Sequence, residues 1–163
     1  MLDSAPGVFV ALEGSGIGQA IRQSPWIYMA ANVGHIVSLM VFAGAVAVLD
    51  LRMAGAFAAT SPGRVLGGAR RVAILAFLGL VLTGAVLFTA EASHVIMNGV
   101  FQLKLALIAL GLLNITLFEF FVARQVKNLP PLAPLPPAAR RAGIISIGVW
   151  IAVAICGRSI AYF

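Results

Sequence analysis

An all-α fold, an integral membrane bundle of four transmembrane helices with a short N-terminal interfacial helix, is predicted by three observations. The 163 residues are 61% hydrophobic and only 10% charged, with a mean hydropathy of +1.05, far from the makeup of a soluble globular domain. Four apolar stretches, 26–49, 72–92, 101–123 and 143–163, approach the roughly 20 residues that a helix needs to cross a hydrocarbon core of about 30 Å. The basic residues, finally, follow the membrane. Arg52, Arg64, Arg70 and Arg71 lie between the first and second stretches, and Arg124, Lys127, Arg140 and Arg141 between the third and fourth, so that only Arg22, Lys104 and Arg158 remain for the opposite side.

That last pattern explains the net charge of +6 without nucleic acid. By the positive-inside rule it places both basic loops in the cytoplasm and both termini outside. The four stretches and their connections form a single domain, 1–163, with no soluble part to hold an active site.

Residues 6–22 mix Val8, Phe9, Leu12, Ile17 and Ile21 with Glu13, Gln19 and Arg22. They are too short and too broken to span, and suit a short helix lying on the outer membrane surface. Gly14, Gly16 and Gly18 imitate a phosphate-binding loop, but no strand precedes them and no βαβ unit follows, so nucleotide binding has no support. Asp3 and the lack of a basic n-region argue against a cleavable signal peptide, which leaves the first span to act as its own signal.

Ser24-Pro25-Trp26 opens the first span: Ser is a favoured N-cap, Pro suits the first helical position, and Trp prefers the interface. The span closes at Asp50-Leu51-Arg52. Small residues (Gly34, Ser38, Ala43 and Gly44 in span one, Gly79 and Gly84 in span two, Ser146 and Gly148 in span four) prepare close helix contacts. Residues 128–139, NLPPLAPLPPAA, hold five of the eight prolines and should run as a semi-extended cytoplasmic spacer. Cys156, the lone cysteine, excludes an intrachain disulfide and any multi-cysteine metal centre.

Chemistry, if there is any, rests on polar residues inside the spans. Tyr28, Asn32, His35 and Leu39 recur at helical spacing and are expected to face the bundle interior. A titratable ring in hydrocarbon is costly and needs a reason. His35 lies about 13 Å below Trp26 at 1.5 Å per residue, level with Thr83 on the antiparallel second span. With Asn114 and Arg158 these residues outline an outward-facing polar pocket, Glu91, His94 and Lys104 at its mouth. The competing expectation is that they only satisfy one another as interhelical hydrogen bonds.

A haem held by both histidines is disfavoured, because His94 falls beyond the outer end of span two, about 10 Å from the depth of His35. A single His35 ligand, or His35 with its copy in a symmetric dimer, stays open. Asp50, Arg52 and Glu119 form a second set near the cytoplasmic end, where Glu119, four residues from the end of its span, is expected to snorkel or, preferably, to make a structural ion pair with a nearby Arg. No H-E-x-x-H, paired cysteines or nucleophile elbow is present, so zinc and hydrolytic chemistry lack support.

The run LEGSGIGQAIRQSPWIYMAANVGHI, then DLRMAG, TGAVLF, FQLKLALIALGLLN and finally GRSIAYF, resembles a family of uncharacterised four-helix bacterial inner-membrane proteins, a domain of unknown function. The similarity covers nearly the whole chain. It implies the four-span fold and the selection of His35, Asp50, Arg52, Lys104, Asn114 and Arg158, and no activity.

The functional expectation is a small membrane module that works as a homo-oligomer or as a subunit of a larger redox complex. The pocket of His35, Asn32, Tyr28, Thr83, Asn114 and Arg158 would accept a haem b, with His35 as metal ligand, or a quinone headgroup. The alternative is a structural or assembly protein without cofactor. A transporter has less support, since no inverted repeat or interrupted pair of spans is visible.

Overall fold

A computed structural model describes residues 5–163; Asp3, on which the signal-peptide expectation rests, lies outside them. Two short helices, α1 (Gly7–Gly14) and α2 (Gly16–Gln23), replace the single interfacial helix expected over 6–22. The break falls at Ser15, whose backbone is extended and whose hydroxyl accepts the Gly18 N–H at 3.2 Å. An N-cap in the middle of the segment starts a second helix, because it satisfies donors the first turn would otherwise leave bare.

The long helices are α3 (Pro25–Ala54) and α4 (Pro62–Ala90), then α6 (Gly99–Phe121) and α8 (Pro137–Ser159), with short α5 (Ala92–Ile96) and α7 (Ala123–Lys127) between them. The four long ones are apolar and long enough to cross a membrane, the last continuing to Tyr162 through a 3-10 turn. This is the organisation of a multi-pass membrane protein. Ser24 caps α3, accepting the Ile27 N–H, with Pro25 at the first position. Asn98 caps α6, its side chain accepting from Val100 and Phe101.

Helices extend past the expected spans at the end of the bundle that carries the basic residues. With 30 residues, α3 is about 45 Å long and runs on through Asp50 and Arg52 until Gly55, at φ 112°, ends it in the left-handed conformation. Arg64, Arg70 and Arg71 likewise sit on α4, which starts at Pro62. Hydropathy marks where apolar residues stop; backbone hydrogen bonding continues until a capping residue or a proline intervenes. The proline segment is short of helix from Asn128 to Pro136, and Pro137 then serves as the first residue of α8.

The helices form an open row. α3 packs along both α4 and α8, and α8 along α6, whereas α4 and α6 at the two ends of the row have no extensive contact with each other. Small residues set the α3–α4 spacing: a Cβ on Gly79 would meet the Ser38 hydroxyl at 2.6 Å, and one on Gly84 the His35 ring at 3.3 Å. Large apolar side chains such as Leu75, Leu82 and Ile155 point outward, as expected where the surroundings are lipid.

Candidate functional site

An aromatic layer divides the interior in two. Phe42 of α3 lies 4.7 Å from Trp150 of α8 edge-to-face and 5.7 Å from Phe77 of α4, ring centre to ring centre. On one side of the layer, toward the chain termini, is His35. On the other, toward the basic loops, is Asp50.

The His35 side is narrower than the sequence suggested. His35 Nδ1 and Thr83 Oγ1 are 2.9 Å apart. Because the Thr83 hydroxyl donates its one proton to the Gly79 carbonyl at 2.6 Å, it accepts from His35, which fixes the proton on Nδ1 and leaves Nε2 as a bare acceptor. Tyr28 donates to Glu91 at 3.4 Å, nearer the terminal end. Lys104 turns toward α8, where an added Cβ on Gly157 would lie 3.6 Å from its Nζ. It also stands within Coulomb range of His35 and pairs with no acid among the described residues.

Three residues assigned to that pocket are elsewhere. Asn32 is exposed, and the buried face of α3 runs instead through Ala31, Phe42, Ala45, Val46 and Asp50. At 100° per residue the spacing that chose Asn32 and Leu39 is one position off; Ala31 and Ser38 complete the interior stripe with His35. Arg158 is exposed near the helix end and donates to the Tyr162 hydroxyl at 2.6 Å, its guanidinium 4.8 Å from that ring, a side chain reaching for the interface. Asn114 lies about 22 Å along α6 from Gly99 and donates to the Ala142 carbonyl at 3.0 Å. It belongs to the Asp50 side.

There the four long helices line a cavity of about 250 Å³, open on the side between α4 and α6. Phe42, Phe77, Phe118 and Trp150 supply apolar walls; Asp50, Asn114 and Ser146, with Arg70 and Glu119, supply polar groups. Asp50 is 8% exposed and Ser146, beside it on α8, 3%. Among the described residues, two buried side-chain polar atoms have no hydrogen-bond partner: Asp50 Oδ2 and Trp150 Nε1. The ion pair expected of Glu119 is formed. Glu119 pairs with Arg70 at 2.9 Å across the open side between α6 and α4, whereas Arg52 is spent on the Thr60 carbonyl at 3.0 Å and 3.3 Å. Among the described residues no cation pairs with Asp50.

Among the described residues no three His, Cys, Asp or Glu side chains gather to hold a metal ion. A family model described as a family of unknown function, DUF6644, matches residues 9–163. The chain belongs to that family. Neither a curated protein nor a solved structure matches it.

Trp150 and Ser146 escaped the reading of the sequence, Ser146 having been counted only as a small packing residue. A usable signal was present. Phe42, Val46 and Asp50 recur at i, i+4 and i+8 on α3, and a carboxylate continuing a buried aromatic stripe requires a facing polar partner.

Proposed function

We propose that this protein is a membrane-embedded binding module that holds a small, largely apolar molecule with a hydrogen-bonding head in the cavity between α3, α4, α6 and α8. One observation carries the reading: a cavity between apolar helices, walled by aromatic rings and lined by Asp50 and Trp150, whose buried Oδ2 and Nε1 lack hydrogen-bond partners among the described residues. Native proteins rarely leave such groups unsatisfied without a ligand, ion or water to meet them. Apolar walls with a few convergent polar groups are the usual composition of a small-molecule site. A quinone headgroup and an apolar amine both belong to this class of occupant. In this reading the protein sits in the inner membrane with its basic loops in the cytoplasm, as an oligomer or an accessory subunit of a larger complex.

His35 favours a second reading, a single-histidine haem b or other metal centre. Its Nδ1 proton is held by Thr83, the arrangement that orients ligating histidines, and Nε2 is left to coordinate. A symmetric dimer would supply the opposite axial ligand.

One preparation tests both. The protein is purified in mild detergent, its absorption spectrum recorded, and the molecules released on denaturation analysed by mass spectrometry. The cavity reading expects a stoichiometric small molecule that is lost in Ala73→Leu, which fills the cavity wall; retention of the same molecule by that variant, or nothing released, overturns it. A Soret band abolished by His35→Ala supports the haem reading, and a colourless preparation overturns it.

A further inference from the structure

Resting on the cavity reading above, we infer that the occupant is a small apolar amine in its protonated form, its ammonium paired with Asp50 and its hydrocarbon body seated among Phe42, Phe77 and Trp150.

The charge balance points to this class. Asp50 is buried to within 8% of full burial, and its Oδ2 has no donor. The two arginines that could neutralise it are committed: Arg70 to Glu119 at 2.9 Å, Arg52 to the Thr60 carbonyl. No other ion pair among the described residues involves Asp50. A buried acidic group normally has a partner, and where the protein provides none it marks a site for something that does. A protonated amine supplies both a positive charge and an N–H for the Asp50 carboxyl that lines the cavity, through a charge-assisted hydrogen bond.

The walls agree with the charge. Aromatic faces attract cations through the ring quadrupole, most strongly where water is excluded, and three rings border the same cavity within 4.7–6.4 Å of one another. A neutral ligand would gain the apolar burial and could donate a hydroxyl to the Asp50 carboxyl, but without the added strength of a charge-assisted bond. The cavity, about 250 Å³, lies just under the usual range for ligand pockets of roughly 300–1,000 Å³, so one ring with a short chain is the appropriate size.

The test compares 2-phenylethylamine with 2-phenylethanol, which have nearly the same shape and differ in charge. Trp26→Phe leaves Trp150 as the only tryptophan, so its fluorescence in detergent-solubilised protein reports on the cavity. The amine is expected to give a saturable change at a concentration at least tenfold lower than the alcohol, and Asp50→Asn to erase that preference. Equal affinity for both probes, unaffected by Asp50→Asn, overturns the amine assignment while leaving the cavity as a site for neutral molecules. Absence of any saturable response to either probe overturns the amine assignment as well. Joined to an empty mass-spectrometric result from the unmodified protein, it also removes the cavity reading.

Discussion

Glu13 ties the N-terminal helices to the rest of the chain. Its Oε2 accepts the Ser93 N–H at 2.9 Å and the Ser93 hydroxyl, while its Oε1 accepts from Arg22 at 2.7 Å. The two Ser93 bonds, chiefly the hydroxyl's, and secondly the Arg22 charge hold its pKa below the ordinary carboxylate value. A depressed folded-state pKa stabilises the attachment above the unfolded value and loses that stabilisation as pH falls through the folded one. A spin label at Ile17, an exposed position, introduced as Ile17→Cys in a Cys156→Ser background, should therefore stay immobile at neutral pH and loosen only below the normal carboxylate range. In Glu13→Gln it should be mobile throughout; unchanged mobility would disprove the strap. No sequence rule joins Glu13 to Ser93, because the partners are 80 positions apart. His35 and Thr83 were legible as a pair since equal depth on antiparallel helices follows from a fixed rise per residue. The tautomer was not, as it depends on where the Thr83 hydroxyl sends its proton.

At the scale of elements, helix existence and caps were readable and helix faces were not. Ser24, Pro25 and the four apolar runs announced themselves, but in a helix surrounded by lipid the outward face is as apolar as the inward one, so amphipathicity no longer reports which side is buried. Small residues carry that information instead. Gly143 on α8 shows how: a Cβ there would lie 2.8 Å from the Asp50 carbonyl oxygen and 2.9 Å from Met53 Cβ, whereas one on Gly148 would meet nothing within 4 Å. Gly143→Ala should lower stability by about 1–3 kcal/mol, the usual result of overpacking against backbone that cannot yield. Gly148→Ala should be neutral or slightly stabilising, since alanine is the better helix former. Thermal unfolding in detergent separates the two, and equal melting points would show that α3 and α8 are not packed closely at Gly143. The same contact forms one wall of the cavity, so Gly143→Ala should also weaken retention of whatever the cavity holds.

Across the whole molecule, charge and polarity are distributed along the bundle axis. The open row of helices leaves α4 and α6 bridged by Arg70 and Glu119 at one end, and the aromatic layer of Phe42, Phe77 and Trp150 isolates the cavity from the His35 side. The sequence placed Asn114 with His35 because both are polar and mid-span; the structure separates them because α3 and α6 both run from the same end and Asn114 is farther along. The cavity needs four helices to exist, so no single stretch could reveal it. Orientation, in contrast, depends only on which loops carry cations. Arg64, Arg70, Arg71, Arg124, Lys127, Arg140 and Arg141 all fall at the end opposite the termini, and a cationic loop is held back from crossing the membrane during insertion. In a Cys156→Ser background, Ala58→Cys in the loop between α3 and α4 should therefore resist a membrane-impermeant maleimide in intact cells with a permeabilised outer envelope, and react once the cells are broken. Ile17→Cys should react in both. The reverse pattern would turn the molecule over and place the Asp50 cavity nearer the outer face, so a ligand drawn from the cytoplasmic leaflet would have to cross the aromatic layer to reach it.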